Sequence, residues 1–322
     1  MGDITIKKVN LYGKDTDPKT AVANEYPTSH FAIRQPCLVY CSSVRNSGKS
    51  FLISKLVRQA QKEKTFNQVY IITPTFESNR AYFGDMIDDE NVFQPTKTSI
   101  QEVIDKVEED KEEWEKYLVE KREYDFFMRL LKNGKDLTDE QLLKYMDMGF
   151  LEDDKIVPPK WKYGKPEPPK SLLILDDVLS SPALLQSSGL TKVATLNRHI
   201  CPLTEEFVYP DGMRRSACGL AVIIISQTYS MSQGVSRALR ENLTHLILFE
   251  NKQEKMFNKI REELGGAVDE EKFLKAYHLA TKAKYGNLLV DFNPKCPTQR
   301  FRKNLNELLI FPDDLAQCNC PE

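Results

Sequence analysis

The stretch that decides the fold occupies residues 41–50 and reads CSSVRNSGKS. It follows a short apolar run at residues 36–40 and precedes a helical pattern over residues 51–57. A strand, a tight loop ending Gly-Lys-Ser and a helix form the arrangement in which backbone N–H groups cradle a phosphate. Lys49 adds a point charge to such a loop, and Ser50 supplies a hydroxyl that can ligate magnesium. The sequence therefore predicts a phosphate-binding loop.

One residue of this loop departs from the usual spacing, because Ser43 stands where the first glycine is expected. Gly-Lys-Ser is a common tripeptide that also occurs in surface turns before helices, but the flanking strand and helix favour nucleotide binding. The residues predicted to contact the nucleotide are Ser43, Arg45, Asn46, Ser47, Gly48, Lys49, Ser50 and Phe51.

Composition limits the possible classes of protein. The chain has 322 residues, of which 41% are hydrophobic and 29% charged, so it can form one large α/β domain or a domain with an exposed helical insertion. The formal net charge is only −2, so contact with nucleic acid requires a local basic patch.

The cysteines and the apolar runs bear on the cellular compartment. The seven cysteines lack paired zinc spacing and are interpreted as reduced thiols of an intracellular protein; Cys318 and Cys320 are the only close pair. No apolar stretch approaches the length that spans a bilayer, and the N-terminus lacks the apolar region of a signal peptide. We therefore expect a soluble protein.

A second motif lies at residues 171–177, which read SLLILDD. Four apolar residues followed by two carboxylates place Asp176 and Asp177 at the carboxyl end of a buried strand, where open α/β sheets bind their ligands. This is a Walker B strand in form. Asp176 is predicted to hold Mg²⁺, and Asp177 to orient or deprotonate the attacking water.

Other apolar runs predict further strands near 68–73, 219–226 and 243–249, with helices between them. Buried strands that alternate with helices indicate a mainly parallel central sheet with helices on both faces. A strand intervenes between the loop strand and the Asp-Asp strand. This order favours the RecA-like (ASCE) branch of P-loop NTPases, in which a third strand separates the two in the sheet.

The chain is divided by these patterns into four parts. Residues 1–35 form an N-terminal strand and connector, and residues 36–96 with 171–300 form the RecA-like ATPase core. Residues 97–170 are a charged helical insertion that ends in a proline-rich connector. Residues 301–322 are predicted to be a loosely ordered tail. The insertion is either a solvated elaboration without chemistry or a lever or docking arm.

Several motifs in register resemble one family. They are the loop at 41–50, LLILDD at 172–177, Asn197-Arg198-His199, ISQT at 225–228 and RALREN at 237–242. Together they resemble the genome-packaging ATPases of nucleocytoplasmic large DNA viruses and virophages, in the FtsK–HerA superfamily of DNA-pumping motors. The resemblance covers about residues 36–76 and 171–250.

The resemblance implies roles for particular residues. Lys49 and Ser50 match the P-loop lysine and magnesium ligand, Asp176 the Walker B acid, and Asp177 the catalytic carboxylate, where many members have glutamate. Gln227 matches a polar sensor of the γ-phosphate and lytic water. The candidates for an arginine finger that reaches a neighbouring subunit are Arg240, then Arg237 and Arg198.

The resemblance also implies partners and cofactors. It predicts ATP and Mg²⁺ as cofactors, a homo-oligomeric ring of five or six subunits, double-stranded DNA as substrate, capsid proteins as possible partners and no membrane. The implied location is the host cytoplasm or virus factory, and also the virion. Candidate DNA contacts are Lys282, Lys284, Arg300, Arg302 and Lys303. Two alternatives stay open: a helicase or conjugative-type DNA pump, and an ATP-switched assembly protein.

Overall fold

The structure is a computed structural model. It describes residues 4–9, 24–26, 33–134, 137–152, 155–178, 181–227, 239, 241–251, 254–264, 266 and 268–316. Its strands are β1 (Thr5–Lys8), β2 (Leu38–Ser42), β3 (Gln68–Ile72), β4 (Val92–Phe93), β5 (Leu151–Glu152), β6 (Lys155–Ile156), β7 (Ser171–Asp176), β8 (Pro202–Val208), β9 (Arg214–Ala217), β10 (Leu220–Ser226), β11 (His245–Phe249), β12 (Asn287–Asp291), β13 (Phe301–Lys303) and β14 (Glu307–Ile310).

The described helices are α1 (Lys49–Lys62), α2 (Phe76–Phe83), α3 (Ser99–Lys132), α4 (Asp139–Asp147), α5 (Pro182–Leu185), α6 (Ser188–Leu196), α7 (Glu254–Leu264), α8 (Glu270–Thr281) and α9 (Pro312–Ala316). Among these residues, no helix combines the length and the apolar character that crossing a membrane requires.

Ten of the described strands form one sheet in the order β1-β14-β13-β12-β11-β2-β10-β7-β3-β4. The six strands from β11 to β4 run parallel to one another. Strand β10 lies between β2, which precedes the phosphate loop, and β7, which ends in the carboxylates. The predicted α/β fold, with the RecA-like separation of these two strands, is confirmed.

Both faces of the sheet are covered, because successive residues of each central strand point to opposite sides. On β2, Leu38 and Tyr40 pack in one apolar cluster with residues of α3, α6, α7 and α8. Val39 and Cys41 pack in the other cluster, with residues of α1 and α2. Every residue of β2, β7, β10 and β11 is buried. The loops that follow these strands are therefore anchored to a fully buried part of the sheet.

The far side of the sheet differs from the prediction. Strand β12 pairs antiparallel with β11, and β13, β14 and β1 continue this antiparallel extension. Residues 301–316 are thus sheet and helix, and the prediction of a loosely ordered tail is wrong for them. Strand β13 has only three residues and contains the buried Arg302, so it shows no apolar run from which a strand could be recognised.

The helical insertion is continuous with the core. Helix α3 is one continuous helix of 34 residues. Its first turns, with Ile100, Val103 and Val107, pack in the same cluster as the sheet. Farther along, Trp114 packs against Trp161 and Tyr117 in a small aromatic cluster of its own. The first three turns of α3 therefore cover the sheet, and only the rest projects from it.

A buried arginine ties the proline-rich connector to the core. The Arg215 side chain is fully buried and donates hydrogen bonds to the carbonyl oxygens of Pro168 (3.1 Å) and Pro169 (3.0 Å). It also bonds the Tyr209 hydroxyl at 3.2 Å and lies over the Tyr26 ring, 4.5 Å from its centroid. One guanidinium thus joins the N-terminal segment, the connector and β9.

The cysteines divide into two groups. Cys37, Cys41, Cys201 and Cys218 are free and buried, as expected for reduced thiols. Cys296 is disulfide-bonded, so the interpretation of all seven cysteines as reduced is wrong at this position. Its partner lies outside the described residues, which do not include Cys318 or Cys320. No metal-like spacing surrounds Cys296 in the sequence, and a disulfide partner cannot be recognised from spacing alone.

Candidate active site

The phosphate loop connects Ser42, the last residue of β2, to Lys49, the first residue of α1. Gly48 caps the helix with φ 92°, and Asn46 also has a left-handed backbone, with φ 62°. These two reversals let the loop fold over the start of α1, where the first N–H groups have no partners within the helix. The loop therefore has the backbone features of an anion-binding site.

Ser43, the residue in place of the first glycine, closes the loop on itself. Its hydroxyl forms a hydrogen bond with the Ser47 hydroxyl and another, of 3.2 Å, to the Val44 carbonyl. Its backbone N–H donates to the carbonyl of Ser226 on β10 at 3.1 Å. Ser43 is 2% exposed. The serine side chain therefore fits inside the loop and fastens it to the neighbouring strand.

The other predicted nucleotide contacts lie along the same loop. Val44, Arg45 and Asn46 are exposed, and residues 47–50 are half-buried. Phe51 is 51% exposed, and the Lys55 ammonium lies 4.5 Å from its ring centroid. The structure thus brings the predicted loop residues together on one surface.

Asp176 is the buried carboxylate of the site. It is 2% exposed at the end of β7, and its Oδ2 accepts hydrogen bonds from Asn79 Nδ2 (2.6 Å) and Thr73 Oγ1 (3.5 Å). Burial raises the pKa of Asp176 to about 6, the neighbouring Asp177 adds to the rise, and Lys49 opposes it. The charged form of Asp176 is therefore disfavoured by its surroundings, and a bound cation would stabilise it.

Asp177 is held by its backbone and by Gln227. It has a left-handed φ of 54°, and its N–H donates to the Ile225 carbonyl of β10 at 3.0 Å. Gln227, one residue beyond β10, donates from Nε2 to Asp177 Oδ2 at 2.9 Å. The parallel register aligns Ile225 with Asp176, so the two polar strand ends meet at one edge of the sheet.

Lys49 lies within electrostatic range of this edge. Burial raises the pKa of the Cys41 thiol to about 12; the Lys49 charge opposes this rise, and Asp176 adds to it. The charges of Lys49 and Asp176 therefore both affect the buried thiol of Cys41, near the end of β2. A lysine at the end of a phosphate loop, with a buried carboxylate nearby, suits a nucleotide complexed with a cation.

The residues proposed for Mg²⁺ fit that ion by their chemistry. Ser50 and Asp176 offer a hydroxyl and a carboxylate, which are oxygen ligands of the kind Mg²⁺ prefers. Among the described residues, both hydrogen bonds to Asp176 end on Oδ2, so Oδ1 is available to a cation. In the same part of the chain, no cluster of three or more His, Cys, Asp or Glu could hold a metal alone. Such a sparse set suits an ion that phosphates also coordinate.

Sequence reasoning missed Asn79 and Thr73. Thr73 directly follows β3, and Asn79 lies on α2. Strand β3 pairs with β7 in a register that aligns Ile72 with Leu175, which brings the chain after β3 beside Asp176. The polar Thr73 after an apolar run was the available signal, but its relevance depends on that pairing.

The arginine candidates fall in different places. Arg240 and Arg237 lie outside the described residues. Arg198 is half-buried in the 3₁₀ turn Asn197–His199, where Asn197 Nδ2 donates to the carbonyls of Cys37 (3.2 Å) and Leu220 (3.4 Å). These carbonyls lie at the amino ends of β2 and β10. Arg198 is therefore at the sheet edge opposite its own phosphate loop.

The proposed DNA contacts do not form one patch. Lys282 and Lys284 are exposed in the turn before β12. The Arg300 carbonyl accepts a hydrogen bond from the Asp291 N–H, so Arg300 lies at the opposite end of β12. Arg302 is 1% exposed, and Lys303 forms an ion pair with Glu307 at 3.2 Å. Of these five residues, only Lys282 and Lys284 are exposed.

Comparison with known proteins gives structural likenesses at low identity. No family model and no curated protein matches the chain. The structure is similar to the genome packaging NTPase B204 from Sulfolobus turreted icosahedral virus 2 in complex with AMPPCP. The identity is 15%, the TM-score is 0.40, and 83% of this chain and 96% of that chain are covered.

Two further solved structures are similar. For B204, the DNA-packaging ATPase from Sulfolobus turreted icosahedral virus, the identity is 12% and the TM-score 0.40, with 83% of this chain and 96% of that chain covered. For the pCW3 conjugation coupling protein TcpA with ATPγS, the identity is 12% and the TM-score 0.34, with 77% of this chain and 60% of that chain covered.

Proposed function

We propose that this chain hydrolyses ATP with Mg²⁺ and is the motor subunit of a ring that packages double-stranded DNA into a preformed capsid. The observation that carries the hydrolytic part is the hydrogen bond of 2.9 Å between Gln227 Nε2 and Asp177 Oδ2, beside the buried Asp176 and the phosphate loop. A site that only bound nucleotide would need the loop but not this pair.

Each residue then has a task in phosphoryl transfer. The loop N–H groups and Lys49 bind the β- and γ-phosphates, and Ser50 and Asp176 would hold Mg²⁺, whose charge helps to neutralise the phosphate oxygens. Asp177 orients the attacking water and accepts its proton. Asp177 is shorter than the glutamate of many superfamily members, so a bridging water between its carboxylate and the attacking water is expected.

Gln227 would couple ATP hydrolysis to a movement of strand β10. Its strand, β10, is paired on one side with β2 and on the other with β7. The Gln227 amide can bond Asp177 or the γ-phosphate, so hydrolysis would change its partner. The position of β10 would then depend on the nucleotide state.

The ring is proposed because phosphoryl transfer needs a further cation at the γ-phosphate, which a neighbouring subunit can supply. Arg240 is our first candidate for this finger, and Arg237 and Arg198 are the others. The test mixes an Arg240→Ala chain with a Lys49→Ala chain, each inactive alone. Recovered turnover supports a finger acting across the boundary, and no recovery removes the reason to name Arg240.

Duplex binding is proposed for the surface near Lys282 and Lys284, because exposed lysines bind phosphates without reading sequence. Arg300 and Lys303 stay secondary candidates, and the burial of Arg302 makes it unsuitable. Capsid proteins are the proposed partners of the ring, and the virus factory or virion is its proposed location.

The DNA contacts are tested by salt dependence. A double variant, Lys282→Ala with Lys284→Ala, should weaken duplex binding and flatten its salt dependence by about 0.9 in log-log slope for each lost phosphate contact. The matched control replaces Lys132 and Lys155, which are exposed in the insertion. An unchanged slope in the first variant would remove these residues from the proposal.

The whole function is tested by ATP turnover of the full chain without DNA, with duplex and with single strands. We expect duplex to accelerate turnover several-fold, Lys49→Ala to abolish it, and Lys62→Ala at the other end of α1 to leave it unchanged. Turnover that no DNA stimulates would favour the ATP-switched assembly protein. Stimulation by single strands alone would favour a helicase or conjugative-type pump.

A further inference from the structure

We propose that Tyr285 is the base-stacking residue of the nucleotide site, so that the ligand is a nucleoside triphosphate bound by its aromatic base as well as its phosphates. The inference rests on the proposed function, because it takes the loop at 41–50 as the phosphate site. The sequence motifs do not single out Tyr285, which lies in the turn between α8 and β12.

The pairing of the antiparallel strands brings this turn to the phosphate loop. Strand β12 runs against β11 with Asn287 opposite Phe249, so the residues just before Asn287 lie at the carboxyl edge of the parallel sheet. The turn contacts the phosphate loop at Gly48. A Cβ atom added to Gly48 would lie 3.2 Å from Tyr285 Cδ1. The ring therefore stands against the residue that caps α1.

The order of strands indicates which end of the nucleotide lies here. The carboxylates and Gln227 belong to β7 and β10, on one side of β2, and they must face the γ-phosphate for hydrolysis. The nucleoside end must then leave the loop on the other side of β2. That is the side of β11 and β12, where Tyr285 stands.

The local backbone holds the tyrosine in place. Tyr285 has φ 66°, an uncommon conformation for a bulky residue, and its carbonyl accepts a hydrogen bond from Asn287 Nδ2 at 3.4 Å. A Cβ at Gly286 would lie 2.4 Å from the Ala280 carbonyl oxygen, so only glycine lets the turn pack this closely on α8. Strain of this kind is retained where the surroundings over-determine it, often at ligand sites.

The ring is available to a ligand. Tyr285 is 58% exposed although it touches the loop, and the Lys284 ammonium lies 5.0 Å from the ring centroid. An exposed tyrosine is usually only a solvated side chain. Here exposure, the contact with Gly48 and the position on the nucleoside side occur together. Because every base has an aromatic face, Tyr285 would favour nucleotides over bare triphosphate without choosing among bases.

The test compares three probes by calorimetry on the full chain: ATP, GTP and inorganic triphosphate. Tyr285→Ala should weaken ATP and GTP about tenfold each, the size of a base–aromatic stack, and leave triphosphate unchanged. Tyr285→Phe should bind all three as the wild type does. Tyr285→Asn removes the ring with a residue that tolerates a left-handed backbone, so it serves if the alanine variant fails to fold.

Phe126→Ala is the matched control, since Phe126 is also an exposed ring, 46% accessible, with the Arg129 guanidinium 5.9 Å from its centroid. It should change no affinity. Equal loss of ATP and triphosphate in the Tyr285 variants, tighter binding of both, or no change would overturn the inference. Failure of the wild type to bind triphosphate or ATP would instead refute the nucleotide site itself.

Discussion

Gln227 Nε2 donates a hydrogen bond of 2.9 Å to Asp177 Oδ2, and this contact joins the ends of two adjacent parallel strands. The amide of Gln227 also carries a carbonyl oxygen, and both this oxygen and the Asp177 carboxylate can accept hydrogen bonds from a water. In the proposed function, this pair would hold one water between two acceptors, in front of the phosphate that the loop would bind.

Gln227→Glu tests this arrangement. The change replaces a hydrogen-bond donor by a carboxylate, so two like charges face each other and repel. We expect the turnover number for ATP to fall by about 100-fold, a size typical of losing a positioned acid–base group, with little change in ATP affinity. Steady-state kinetics and equilibrium binding separate the two effects.

The control uses a similar pair elsewhere. Gln101 donates to Asp105 at 2.7 Å on the exposed face of α3, so Gln101→Glu makes the same local change away from the site. It should leave turnover unaltered. Equal loss in both variants, or unaltered turnover in Gln227→Glu, would contradict the role given to Gln227.

Asp176→Asn should separate stability from activity. The pKa of buried Asp176 is raised from its usual 3.8 to about 6. The neutral form is therefore favoured by folding: its stabilising contribution is full below 3.8 and is lost as the pH rises through about 6. At about pH 7.5 the asparagine variant, without nucleotide, should be more stable by about 2 kcal/mol, yet inactive.

Denaturant melts across a range of pH check this sign. The gain should be largest above pH 6 and shrink as the pH is lowered toward 3.8, and ATP with Mg²⁺ should stabilise only the wild type. Asp313→Asn, at an exposed aspartate, should show no such trend. A variant less stable than the wild type at neutral pH would show that the charge of Asp176 is already compensated.

The sequence made part of this site predictable. The phosphate loop, Asp176, Asp177 and Gln227 all follow apolar runs, and polar residues after buried parallel strands gather at one edge. Their grouping therefore follows from strand order alone. Asn79 and Tyr285 could not be found in this way, because their positions depend on the pairing of β3 with β7 and of β12 with β11.

The same limit applies to the fold. Five of the six parallel strands were predicted because they are continuously apolar and almost wholly buried. The parallel strand β4 has only two residues, and the antiparallel β13 has three and contains the polar Arg302. The motif residue Asn197 shows the converse. It was quoted as part of a functional resemblance, but the structure uses its amide to bond the carbonyls of Cys37 and Leu220.

Ser43→Gly tests the unusual loop residue. Among the described residues, the serine hydroxyl bonds only within the loop, to Ser47 and to the Val44 carbonyl. Glycine removes these contacts but keeps the backbone N–H that bonds Ser226. We expect ATP affinity within about threefold of the wild type, since a neutral hydrogen bond contributes about 1 kcal/mol or less. Loss of ATP binding would mean that the hydroxyl contacts the nucleotide directly.

Arg215→Ala should destabilise the chain strongly. The change removes a fully buried guanidinium and leaves the carbonyls of Pro168 and Pro169 without their donor. We expect the free energy of unfolding to fall by about 3–5 kcal/mol, the sum of lost packing and unsatisfied carbonyls. Denaturant midpoints measure it, and proteolysis should begin in the connector at residues 157–169.

Arg214 is the matched control for this change. It is the preceding residue on β9, its side chain is 68% exposed, and its ion pair is with Glu206 at the surface. Arg214→Ala is expected to shift the midpoint little, because exposed pairs contribute little. Similar losses in the two variants would mean that the buried contacts of Arg215 do not hold the connector.

Single-turnover release of phosphate from bound ATP by Asp177→Asn tests the central claim most directly. Asparagine keeps the size of the side chain but cannot accept a proton from water. We expect the variant to bind ATP with Mg²⁺ as tightly as the wild type and to release phosphate about 1,000-fold more slowly. Release at the wild-type rate would contradict the assignment of Asp177 and the hydrolytic site built around it.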